Sequence, residues 1–156
     1  MRFPTSLSGV VTVLALLTLM TACTSEPETR MTPEQSREVF ITEAKAIIRA
    51  VFPGADPLVV VKVKDVPCGG PVGTDFSSVE SNINVHSDAP DKPDPDEVFQ
   101  KVVDTLKQRG WKINYIEERI TGARRKGVGG ISAGVGDSPV GINILGDTEC
   151  VRNPDG

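Results

Sequence analysis

Apolar residues at Phe40, Ala44, Ile47, Ile48 and Val51 recur every three or four positions, so they share one side of an α-helix. The start and stop signals agree with that periodicity. Thr32 suits the N-cap, Pro33 the first helical position, and Gln35 completes a capping box, while Pro53-Gly54 ends the segment. The pattern predicts a helix over 32–52. A second helix is predicted after Asp94, which precedes Pro95 and has Glu97 three residues on. Its apolar stripe is Phe99, Val102, Val103 and Leu106. Lys107 and Arg109 favour the negative end of its dipole, and Gly110 terminates it.

Elsewhere the period is two. The β-branched run Leu58 to Val66 predicts a largely buried strand, followed by a turn at Cys68-Gly69-Gly70-Pro71. From Phe76 to Val85 the alternation is clean. Val79, Ser81, Ile83 and Val85 point one way, and Glu80, Asn82, Asn84 and His86 the other, so this strand should have one wet face. Trp111, Ile113 and Tyr115 alternate with Lys112 and Asn114 at the start of a third strand. Ile131, Ala133 and Val135, a turn at Asp137-Ser138, then Val140, Ile142 and Ile144 supply two more. The predicted order is α-β-β-α-β-β-β. Short links between successive strands imply an antiparallel sheet, and two amphipathic helices must bury their stripes against it. The expected fold is α+β, a two-layer sandwich with about five antiparallel strands and both helices on one face, forming a single domain over residues 32–156.

The N-terminal pattern is different in kind. Met1-Arg2 is followed by an uncharged apolar run from Leu7 to Met20. That length matches a signal-peptide core and falls short of the roughly 20 residues a spanning helix needs. The run ends in Leu19-Met20-Thr21-Ala22-Cys23, small residues before a cysteine, which resembles a lipobox. Residues 1–22 are therefore expected to be a lipoprotein signal peptide, with Cys23 lipidated as the new N-terminus. Residues 23–31 are polar, include Pro27 and read as a tether. Two or three acyl chains, at about 0.8 kcal/mol per buried methylene, would hold the protein on the bilayer. The expected location is the extracytoplasmic face of the cell membrane.

That location changes the meaning of the other cysteines. In an oxidising compartment Cys68 and Cys150 most simply form a disulfide, closing a long loop worth about 4 kcal/mol. The alternatives are two buried thiols or a metal site, and the latter would need more soft ligands than the only histidine, His86, supplies.

The lipobox at Cys23, the helix ending in Phe52-Pro53-Gly54, the mid-chain Cys68, and Ile142-Asn143-Ile144-Leu145-Gly146-Asp147 before Cys150 together resemble the LppA-like lipoproteins of actinobacteria. The likeness covers most of the mature chain. It implies a cell-envelope lipoprotein with no assigned activity and no catalytic residues to carry over.

Candidate chemistry is sparse. A formal net charge of -4, with 24% charged residues, offers no general attraction for nucleic acid. His86, Ser87 and Asp88 are adjacent on a strand, where neighbours face opposite ways and do not assemble a nucleophile and base. The acids Asp88, Asp91, Asp94, Asp96 and Glu97 lack the spacing and glycine of a calcium loop, and Asp94, Asp96 and Glu97 suit a helix N-terminus instead. The glycines of 127–136 have Ser132 where a dinucleotide fingerprint needs its third glycine. The basic run Arg124-Arg125-Lys126 is a candidate interaction face, or simply a solvated hairpin. Against anionic head groups each such charge would be worth about 1 kcal/mol. The expected function is a non-enzymatic binding module of the envelope, without cofactor. Its partners would be the bilayer through acylated Cys23 and a further envelope protein or lipid. The alternative is a carrier for a small apolar or lipid ligand between sheet and helices.

Overall fold

A computed structural model describes residues 31–69 and 75–156. The expected leader and nearly all of the tether lie outside the described residues. The elements run α1 (Pro33–Val51), β1 (Leu58–Gly69), β2 (Asp75–Asp88), α2 (Pro95–Gln108), β3 (Lys112–Glu117), β4 (Ile120–Arg125), β5 (Gly129–Asp137), β6 (Val140–Thr148) and β7 (Val151–Arg152). Seven strands form one antiparallel sheet in the order β1-β2-β6-β5-β4-β3, with β7 pairing β2. This is the α+β sandwich the pattern predicts, with two strands more than expected. The additions are β4, which includes the first two residues of the basic run, and the short β7.

Both helices start where the sequence says. The Thr32 hydroxyl accepts from the Gln35 amide at 3.3 Å, and the Gln35 side chain accepts from the Thr32 amide at 2.9 Å. Asp94 accepts from the amides of Asp96 and Glu97, so at least this acid serves α2's free N–H groups. α1 packs on β2 and β6, and α2 on β5, β4 and β3. Phe40, Ile47, Ile48, Val102 and Leu106 fill the space over Ile83, Val85, Ala133, Ile142 and Ile144, all essentially inaccessible to solvent. The core therefore lies entirely on the helix side of the sheet.

Two strand expectations need correction. Leu58–Val66 was expected to be largely buried, yet β1 is an edge strand with Leu58, Val60, Val61 and Val63 exposed. Neither helix packs along it, although Arg37 of α1 reaches Asp65 and Val59 touches the core, and its ladder is with β2 alone, broken by three register shifts. Lys62, Lys64 and the bulges discourage a further strand from adding there. Trp111, Ile113 and Tyr115 were expected on one face. Ile113 pairs with Ala123 but Tyr115 pairs with Gly122, so β3 has one extra residue, Asn114, opposite no partner. That bulge turns Tyr115 onto the face opposite Ile113.

Cys68 and Cys150 form the disulfide, their Cα atoms 6.0 Å apart across a sequence separation of 82. It joins the end of β1 to the link between β6 and β7.

Candidate functional site

With both helices on one side, the other side of the sheet is uncovered. Cross-strand register places Val60, Asn84, Leu145, Ser132, Gly122 and Tyr115 in one row across six strands of this face. A parallel row runs Asn82, Asp147, Gly130, Arg124 and Lys112. The wet face predicted for β2 is thus one stripe of a larger surface, and its alternation is as expected.

The polar groups of this face are already ordered among themselves. Asn84 donates to Asn143 at 2.6 Å and Asn82 donates to Asp147 at 2.9 Å. His86 Nδ1 lies 3.2 Å from Asn84 Oδ1. Ser87 faces the other way and donates to the carbonyl of Asp88, so the adjacent Ser, His and Asp do not converge. Burial pushes the Glu80 carboxyl above its ordinary range, and the nearby Asp147 charge adds to that push while Arg124 opposes it.

A groove of about 310 Å³ crosses the face between β2 and β3, floored by Gly122, Gly130 and Leu145 and edged by Asn82, Asp147, Arg124, Ser132, Asn114 and Tyr115. Tyr115 is 47% exposed and its ring lies directly on Gly122, where any Cβ would overlap it. The phenol oxygen reaches β5, 3.4 Å from Ser132 Oγ. The ring therefore spans β4, lying over the Gly122 backbone with about half of its surface open to solvent. A cleft of about 210 Å³ lies elsewhere, at the ends of the two helices, lined by Val51, Phe52, Pro53, Pro90, Pro93 and Val98.

The expected basic face Arg124-Arg125-Lys126 does not form as one surface. Alternation along β4 puts Arg124 on the open face and Arg125 on the helix side. Arg125 donates to Glu43 at 2.6 Å. The same carboxylate receives Arg109 through both oxygens, at 2.7 and 2.8 Å, and the Trp111 indole N–H at 3.3 Å. Glu43 thereby clamps α1, the end of α2 and the end of β4. Its side chain is only 12% exposed. A second such knot joins Arg37 to Glu34 and Asp65, both at 2.6 Å, and to Ser81. Sequence reasoning missed both, although Arg37 and Glu43 sit at three-residue spacing from Phe40, flanking the apolar stripe.

The hydrogen bonds from Arg109, with the Arg109 and Arg125 charges, hold the Glu43 carboxyl below its ordinary value of 4.5. A carboxyl with a depressed folded-state pKa adds stability that is fully present above the unfolded-state value and lost as pH falls through the folded one. Glu43→Gln should cost about 2 kcal/mol at pH 7, because two guanidinium groups lose their counter-charge. Urea titrations should show that gap shrinking as pH falls below the ordinary carboxylate range, where wild type progressively loses the same charge. A gap that stays constant down to the lowest pH at which both chains fold would refute the assignment.

Among the described residues, no group of three His, Cys, Asp or Glu side chains is placed to hold a metal ion, and no helix is long and apolar enough to cross a membrane. Fold and open face together define an α+β sandwich with one covered and one presented sheet surface. Comparison with protein-family models, with curated proteins and with solved structures finds no match to this chain.

Proposed function

We propose that this protein is a lipid-anchored envelope lipoprotein that works as a non-enzymatic binding module, and that it engages its partner with the open face of the sheet. The observation that carries this reading is the asymmetry of the sheet: one face is packed by both helices over its central strands, whereas the other presents exposed Tyr115, Leu145 and Ile120 among an ordered set of amides, carboxylates and Arg124. Mixed apolar and polar surface of this kind, with its polar groups pre-arranged, suits recognition. The space between sheet and helices is occupied by the core side chains, which favours the face over an interior carrier cavity. The membrane address rests on the residue pattern around Cys23.

Two measurements test the two halves of the reading. A Cys23→Ser chain should be released from membranes or remain unprocessed, and fractionation identical to wild type would overturn the anchor. A photo-crosslinking side chain placed at Ser132 or Leu145 in the full chain should trap a specific envelope component in living cells. The same probe at Gln100 or Glu38, on the outer helix surfaces, should not. Trapping only from the helix positions would overturn the open face as the binding surface.

A further inference from the structure

We infer that the groove on the open face is a saccharide site, in which a sugar ring lies on the outer face of Tyr115 and its hydroxyls are bonded by Asn82, Asp147 and Arg124. This inference rests on the open face being the binding surface. It follows from three features of the groove taken together.

The first is the platform. Tyr115 is held in place because the bulge at Asn114 turns it onto this face and Gly122 leaves room for the ring over its backbone. An aromatic face fixed in that way offers a planar apolar surface with little further entropy to lose. The C–H face of a pyranose is its natural complement. Leu145, 40% exposed, extends the apolar floor toward β6.

The second is the donor and acceptor inventory at the rim. Asp147 only accepts, Arg124 only donates, and the side-chain amides of Asn82 and Asn114 do both. A polyanion would meet Asp147 and Glu80, and a polycation would meet Arg124 and Lys112. A purely apolar ligand would bury Arg124 and the bonding capacity that the Asn82–Asp147 pair leaves unused, at a cost of roughly 1–3 kcal/mol for each group left without a partner. Sugar hydroxyls donate and accept at once, and so satisfy all of them.

The third is shape. At about 310 Å³ the groove sits at the small end of ligand sites. It is open along the sheet, so further sugar units of a chain could continue over Asn84 and Asn143.

The test uses the full acylated chain in a phosphocholine detergent, which carries no sugar head group to compete. Cellotetraose, chitotetraose and mannotetraose are titrated in turn, with side-chain amide NMR shifts as the readout. At least one should bind saturably, with Kd from roughly 0.1 to 5 mM as expected for so small a contact. The shifts should centre on Asn82 and Asn114. Tyr115→Ala should weaken that binding at least tenfold, Tyr115→Phe should leave it within about threefold, and Asp147→Ala should weaken it several-fold, with thermal melts confirming that each variant folds. No saturable binding by any of the three sugars would overturn the saccharide assignment, as would binding indifferent to Tyr115→Ala. If crosslinking from Ser132 traps a protein while no sugar binds, the saccharide site falls and the open-face reading stands. If sugar binds with shifts confined to the helix surfaces, both fall.

Discussion

Replacing Cys68 and Cys150 together with serine is expected to lower stability by about 4 kcal/mol and the melting temperature by roughly 15 °C. The bridge closes a loop of 82 positions, and a loop of that length gives the unlinked unfolded chain much entropy that the linked one lacks. Its place in the sheet sharpens the expectation. Cys68 lies near the end of β1, an edge strand whose one ladder is with β2 and carries three register shifts. Cys150 lies just before β7, a two-residue strand also held by β2. Without the bridge, the end of β1 and β7 should fray before the sheet as a whole unfolds. Amide exchange should therefore accelerate first at Val66, Cys68, Val151 and Arg152, ahead of Ile83 and Ile144. A melting temperature within 3 °C of wild type, or exchange that rises uniformly, would contradict this account. On the proposed anchoring through Cys23, membrane fractionation should not change, because these two cysteines shape the domain.

The second large effect is expected at Gly146. This residue lies on the helix side of β6, beneath Phe40 of α1. A Cβ there would overlap the Gly130 carbonyl oxygen and approach Phe40 Cζ at 2.9 Å and Ile131 Cα at 3.0 Å. Two of these three neighbours are backbone of β5, so they cannot move aside without opening the β5–β6 ladder. Phe40 is fully buried and has little room to retreat. Gly146→Val should cost about 3 kcal/mol by overpacking. Gly134→Ala provides the control, since its added Cβ would meet Arg119 O and Ile120 Cγ1 at an ordinary 3.7 Å. That variant should be neutral or slightly stabilising. Urea denaturation of the pair reads the difference directly, and equal midpoints would mean that α1 does not depend on this close approach.

Local signals made much of the fold legible. Thr32 with Gln35, and Asp94 with Pro95, announce both helices, because capping involves residues within three positions of one another. Strand β2 is equally plain, since alternation between Val79 and His86 records directly which side is buried. The β1 run misled for a related reason. Valines are as suitable for an exposed edge as for a centre, and which one they occupy depends on whether a helix reaches them. The candidate site was legible only in its polar stripe, Glu80 to His86. Its aromatic platform was hidden, because the bulge at Asn114 exists only where β3 meets β4 and cannot be read from β3 alone. Arg124 and Arg125 likewise look alike in sequence, and only their alternation on a paired strand sends one to the open face and the other to Glu43.

By itself, then, the residue order determined the two helices with their caps, the wet face of β2, the α+β class, and the pairing of Cys68 with Cys150 as the simplest outcome for two cysteines if the domain is exported. These follow from contacts between near neighbours or from counting. Tertiary structure alone decided which strands are edges, that the Tyr115 ring lies over Gly122 beside Asp147 and Arg124, and that Glu43 gathers Arg109, Arg125 and Trp111. Each of those depends on segments far apart in the chain meeting in one register, and a one-residue shift in that register moves a side chain from one face of the sheet to the other.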